Sequence, residues 1–196
     1  MTYIASTRFS NETWEEHEKY MIKKNFDGCM YSNRQMIQDR IPLHILIFVI
    51  EMNNSTNKIQ GIGLIRNSIC SDKYFKVYEN GEYNINTYKG KYRLSREQLT
   101  QINPKIVQCL DHVLFKGKTH LKRLAGITIV PDKLLYHEKC VGIDMKKEIK
   151  DAFVNTFMKK KESISELEME KRMELEERMV EERMEERELE LELDER

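Results

Sequence analysis

The sequence predicts an α+β fold: a bent antiparallel sheet or small barrel bracketed by helices, with a long charged helix at the C-terminal end. Three observations lead there. Between residues 43 and 94, short apolar and aromatic runs alternate with Asn-, Gly- and Ser-containing turns, the signature of successive short strands. On either side, apolar residues recur at three- and four-residue steps behind helix-capping signals. From residue 161 on, the chain is Glu-, Arg- and Met-rich low complexity, which favours helix but builds no core. The expected division is a body over 1–143 and a long helix over 144–196, acidic and repetitive from 161.

The elements follow in order. Ser10 or Asn11 caps a helix through about Lys24, with Glu15 and Glu16 in its first half, Lys23 and Lys24 at its end, and Trp14, His17 and Met21 on one face. Phe26-Asp27-Gly28 reads as a turn, and Asn33 to Arg40 as a short helix ended by Pro42. Leu43 to Met52 is the continuous apolar run of a strand covered on both faces. Asn53 to Asn57 is a polar turn, and Ile59 to Ile65 a returning strand with Gly61 and Gly63 on one face. Tyr74 to Tyr78 reads as a strand, Asn80-Gly81 as a hairpin turn, and Glu82 to Leu94 as one or two more strands. Ser95-Arg96-Glu97-Gln98 has capping-box spacing, and Asn103-Pro104 is an N-cap followed by proline at the first helical position. Ile127 to Val130 is a last short strand, Pro131 or Asp132 opens a short helix, and Asp144 caps the final one.

Charge is divided along the chain. Residues 1–160 carry 26 basic and 17 acidic side chains, and residues 161–196 carry 7 and 16, so a formal net charge of zero conceals a basic body and an acidic tail. A basic body suits an anionic partner, nucleic acid above all; an acidic tail suits a brake or a protein contact. Its Glu-to-Arg steps support a single helix, while Arg187 breaks the heptad begun by Met173 and Val180. Self-association through 161–196 stays open.

No apolar run approaches the roughly 18–20 residues of a membrane-spanning helix, and Met1 to Ser10 lacks the plan of a signal peptide. A cytosolic or nuclear setting is expected, the cytoplasm first. Cys29, Cys70, Cys109 and Cys140 are too far apart for a zinc ribbon and read as free thiols.

Two basic clusters carry the functional expectation. Gly117-Lys118-Thr119 resembles the end of a phosphate-binding loop, but His112 stands where that loop needs glycine, so nucleotide hydrolysis loses its support. What remains is Lys116, Lys118, His120, Lys122 and Arg123 within eight residues, suited to a sugar-phosphate backbone. The second patch is Tyr83, Tyr88, Lys89, Lys91, Tyr92, Arg93 and Arg96, where aromatic faces beside cations suit a stacked base. No paired acid–base set, nucleophile elbow or metal-ligand spacing is present, so no enzyme, cofactor or metal is expected.

The stretches "FVIEMNNSTNKIQGIGLIRN" (48–67), "YKGKYRLS" (88–95) and "LFKGKTHLKRLAGITIVP" (114–131) resemble a protein family of the nucleocytoplasmic large (giant) DNA viruses. That likeness brings no activity; it implies a viral protein acting in the host cytoplasm, a virus factory or the virion. The order of a helical N-terminal part, "IPLHILIFVIEM", "IQGIGLI" and "YKGKY" more distantly resembles the PUA-like group, including the YTH and EVE readers of modified bases. The YTH readers hold methylated adenine in a cage built largely of tryptophans, and this chain has only Trp14. That cage does not carry over residue by residue; a cage here would have to be drawn from Trp14, Tyr31, Tyr88 or Tyr92. The residue pattern itself puts Gly61 and Gly63 on the floor of a cleft and Lys116, Lys118, His120, Lys122, Arg123, Lys89, Lys91 and Arg93 on phosphates. The expected function is a non-enzymatic module binding single-stranded RNA or DNA, or a modified base in it. The alternative is a virion-associated or scaffolding protein acting through its charged tail.

Overall fold

The computed structural model describes residues 2–38 and 41–158. Its framework is a five-stranded mixed sheet in the order β6-β4-β3-β1-β7. The strands are β1 (Tyr3–Phe9), β3 (Leu46–Asn53), β4 (Lys58–Arg66), β6 (Tyr92–Ser95) and β7 (Thr128–Ile129). β2 (Cys29–Asn33) and β5 (Asn86–Gly90) form a separate antiparallel ribbon. The helices are α1 (Asn11–Lys23), α2 (Arg96–Ile102), α3 (Pro104–Val113), α4 (Asp132–Leu135) and α5, helical over 145–158.

The expected α+β class holds, with corrections. The described strands do not close into a barrel, and the sheet is mixed because β1 runs parallel to β3, Tyr3 opposite Ile47 through Phe9 opposite Asn53. β1 was not anticipated. The expected strand at Tyr74 to Tyr78 is instead an irregular segment held by one side chain: the Asn84 amide accepts from the backbone N–H groups of Val77 and Tyr78 and donates to the Tyr78 carbonyl. Asn80-Gly81 makes no hairpin; Asn80 caps a short 3₁₀ turn over Gly81–Asn84. The expected helix from Asn33 to Arg40 begins on the last residue of β2, and its described part, to Gln38, is not helical. The helix and acidic tail expected beyond 158 lie outside the described residues.

Local signals behave as written. Ser10 and Ser95 both form complete capping boxes, with Thr13 and Gln98 as the reciprocal partners. Asn103 caps α3 over Pro104, and Asp144 accepts from the Lys147 N–H at the start of α5.

β3 is buried on both faces, which explains its continuous apolar run. Ile47 and Val49 join Ala5, Phe9, Tyr31 and Tyr88 on one side. Phe48, on the alternate face, meets Phe153 of α5 with ring centres 5.0 Å apart. α3 is tied to β4 by Asp111, which accepts from the Ile59 N–H and forms a 2.6 Å ion pair with Arg96.

The β2–β5 ribbon crosses β4 at two glycines. A Cβ on Gly63 would collide with the Tyr31 hydroxyl and the Cys29 side chain, and one on Gly90 with the Leu64 carbonyl. Backbone crossing at that range excludes any side chain. The compact body runs to Phe153.

Candidate functional site

The carboxyl ends of the parallel pair β1 and β3 lie together, since Phe9 is opposite Asn53. Open sheets place ligand crevices at such strand ends. Here the crevice is a cavity of about 490 Å³, inside the roughly 300–1,000 Å³ range of small-ligand clefts.

Five segments wall the cavity. β1 and the start of α1 contribute Thr7, Arg8, Phe9, Ser10 and Thr13. The end of β2 and the following loop contribute Ser32, Asn33, Arg34 and Gln35. Asn54 comes from the β3–β4 turn, and Tyr78, Glu82 and Tyr83 from the segment before β5. Leu124, Ala125 and Gly126, directly after the basic loop, close the ring. Tyr78 is buried and Tyr83 half exposed, their rings 6.1 Å apart and edge to face.

Two features distinguish the polar lining. The first is Arg8. Its Nε donates to the Leu121 carbonyl at 2.8 Å; Nη1 donates to the carbonyls of Ser6 and Gly126, and Nη2 to the hydroxyls of Ser6 and Thr128. All five guanidinium hydrogens are thus used, and none meets a carboxylate. Burial lowers the pKa to about 10, so the cation persists at neutral pH without a partner anion. It also pins the 121–126 strand of chain to β1, fixing the basic loop beside the cavity.

The second is unpaired polarity. Among the described residues, the buried side-chain atoms without a hydrogen-bond partner are His17 Nδ1, Asn33 Nδ2 and Asn54 Oδ1. Two of the three belong to residues lining this cavity. The Asn54 amide is oriented by its Nδ2, which donates to the Lys122 carbonyl at 3.0 Å; its Oδ1 is therefore an unmet acceptor. Buried amide atoms are normally satisfied, because leaving one unpaired costs about 1–3 kcal/mol. Across the mouth, Arg34 donates to Glu82 at 3.1 Å.

The sequence-predicted residues are distributed differently. Lys116, Lys118 and Arg123 are exposed on the loop after α3, with Gly117 at φ +78° making its turn. His120 accepts from the Lys122 N–H, and Lys122 Nζ donates to Asn57 at 2.6 Å. This loop adjoins the cavity through Leu124–Gly126. Of the second patch, Tyr83 lines the cavity and the other members do not. Arg93 is committed to Glu51, and Lys89 lies 4.3 Å above the Phe26 ring. Lys91 is exposed.

The expected base cleft is corrected. The space beside Gly61 is filled by Glu51 and Arg93, and that beside Gly63 by Tyr31 and Cys29. Glu51 is wholly buried and accepts from Arg93 Nε and Nη2 and from the Tyr31 hydroxyl. Burial alone would lower the Arg93 pKa; Glu51 more than reverses that and raises it. Burial and the Glu51 charge push the Tyr31 phenol well up. Tyr88 is buried, its hydroxyl accepting from the Ile37 N–H. Trp14 packs edge-on against Phe9 at 5.0 Å, with Arg93 over its ring. Tyr92 is half exposed on β6. Trp14 and Tyr88 line two separate cavities, and Tyr31 lies in the core.

Sequence reasoning missed Arg8, Phe9, Asn33, Asn54 and Tyr78, and placed Tyr83 in the wrong patch. One signal was present: a basic residue at position 8 inside an otherwise apolar and small-residue stretch. Comparison with protein-family models, curated proteins and solved structures returned no match for this chain.

Proposed function

We propose that this protein is a non-enzymatic module that binds single-stranded nucleic acid, holding one unpaired base in the cavity at the ends of β1 and β3. The observation that carries this reading is the coincidence, around one cavity, of Tyr78 and Tyr83, the buried Arg8 cation and two residues, Asn33 and Asn54, that each keep a buried amide atom unpaired. Aromatic rings supply a stacking surface that every base can use. Asn33 and Asn54 supply a donor and an acceptor for its edge. The adjoining Lys116, Lys118, Lys122 and Arg123 supply point charges for flanking phosphates. The likeness to readers of modified bases makes an oligonucleotide carrying N6-methyladenine the first ligand to set against its unmodified counterpart.

The test is fluorescence anisotropy with labelled single-stranded RNA and DNA across a salt series. Each phosphate neutralised contributes about 0.7 to the log–log salt slope for single strands. Replacing Lys116, Lys118, Lys122 and Arg123 together with Ala is expected to flatten that slope by roughly 3. Tyr83→Ala is expected to weaken binding while leaving the slope unchanged. Wild-type protein that fails to bind either strand, or variants that bind as it does, would overturn the reading.

A further inference from the structure

Away from this cavity, α3 packs against the 3₁₀ turn Glu138–Cys140 and brings two cysteines together. The Cys109 thiol donates to the Lys139 carbonyl, with sulfur and oxygen 3.1 Å apart. Cys140, the next residue, brings its side chain within interaction range of Cys109. Burial first, and Cys109 second, push the Cys140 thiol up to about 12, so Cys140 keeps its proton.

The two sulfurs differ in access. Cys109 lines a cavity of about 440 Å³ together with Lys105, Gln108, His112 and Lys139. His137 stands close by, its ring centre 6.1 Å from that of His112. Cys109 is itself largely buried, so the cavity is its route to solvent. The other cysteines lack this setting. Cys29 is sealed, its thiol within 3.6–3.8 Å of the Leu64, Gly90 and Tyr92 carbonyls, and burial raises its pKa to about 12. Cys70 is half-buried before β5 and its surroundings include Asp72.

We propose that Cys109 and Cys140 form a reversible dithiol–disulfide couple oxidised by hydroperoxides entering the cavity at Cys109. The Cys109 thiolate attacks the peroxide oxygen; the O–O bond breaks, the alkoxide leaves and takes up a proton as alcohol, or as water from hydrogen peroxide. Cys109 becomes a sulfenic acid. The Cys140 sulfur then attacks the Cys109 sulfur, the S–O bond breaks, and the hydroxyl leaves as water with the Cys140 proton. Two thiols lose two electrons and two protons, and the peroxide gains them. A dithiol reductant reverses the step. The bridge would close a chain segment that contains the whole basic loop, Lys116 to Arg123, and the cavity wall Leu124 to Gly126.

The experiment treats the full chain with hydrogen peroxide, blocks remaining thiols by alkylation, and maps cysteine peptides by mass spectrometry without reduction. The expected product is a Cys109–Cys140 peptide pair about 2 Da lighter than the sum of its thiol forms, lost on treatment with dithiothreitol. In Cys140→Ser, Cys109 is expected to accumulate as sulfenic acid trapped by dimedone, since the resolving sulfur is gone. Serine closely matches the thiol in size, and a Cys70→Ser chain serves as the control that keeps the bridge. If Cys109 and Cys140 stay alkylated while Cys70 oxidises, or if Cys140→Ser gives no adduct at Cys109, the proposal fails. Both outcomes are independent of nucleic-acid binding.

Discussion

Two hollows in this molecule look alike on paper and differ in substance. One surrounds Gly61 and Gly63 on β4; the other lies at the ends of β1 and β3. The glycine hollow is filled. Glu51, Arg93, Tyr31 and Cys29 occupy it, and the Glu51 carboxylate is fully matched by donors. The second hollow is open, with a cation that meets no carboxylate and two amide atoms that meet nothing. A missing side chain therefore marks where another part of the chain passes.

The comparison can be broken from either side. The largest effect is expected from Glu51→Ala, which strands the Arg93 guanidinium and the Tyr31 hydroxyl in the interior. Breaking a buried ion pair by removing one partner costs about 3–5 kcal/mol, readable by urea unfolding. A loss under about 1 kcal/mol would mean that the network does not hold the ribbon to the sheet. Gly63→Ala comes next: with Tyr31 and Cys29 already occupying the space, overpacking of about 1–3 kcal/mol is expected. A tolerated alanine would mean that the hollow is open after all.

In the other hollow the order of effects reverses. Tyr83→Ala removes a half-exposed ring and is expected to leave stability within about 0.5 kcal/mol of wild type. Affinity for a single strand is expected to fall by about 1–3 kcal/mol, the worth of one stacked base.

The smallest effect separates the two regions by pH. His17 is buried between Phe9, Trp14 and Tyr31, its Nε2–H donating to the Met30 carbonyl. Burial lowers its pKa below the usual 6.5, the Glu51 charge only partly opposing. The unfolded chain therefore binds a proton that the folded chain refuses. Stability is level above about pH 6.5 and declines as pH falls from there toward the lowered folded value. His17→Gln, which retains a donor for Met30, is expected to flatten the decline seen in unfolding measurements between pH 7 and 5.

What the sequence made legible was local. The Ser95 capping box, the Asn103-Pro104 helix start and the apolar run of β3 depend on residues within a few positions of one another, and each stands where expected. β1 was missed because Thr7 and Arg8 break its apolar pattern; seven paired residues on β3 and the β7 edge make it a strand. Tyr74 to Tyr78 has strand composition but no neighbouring strand, and Asn84 holds it instead. The cavity was invisible for the same reason. Its wall is assembled from five segments between residues 7 and 126, and no spacing rule links Asn33 to Asn54. The basic loop was legible as charge, but its position beside the cavity depends on Arg8, more than a hundred residues away.

The claim that the open hollow, not the glycine hollow, takes the base is tested most directly by photo-crosslinking. A single-stranded RNA carrying one 4-thiouridine is irradiated with the full chain, and the adducts are mapped by mass spectrometry. The account predicts crosslinks at Phe9, Tyr78 or Tyr83, lost when excess unlabelled strand competes. Specific crosslinks at Trp14, Tyr88 or Tyr92, with none at the cavity, would contradict it.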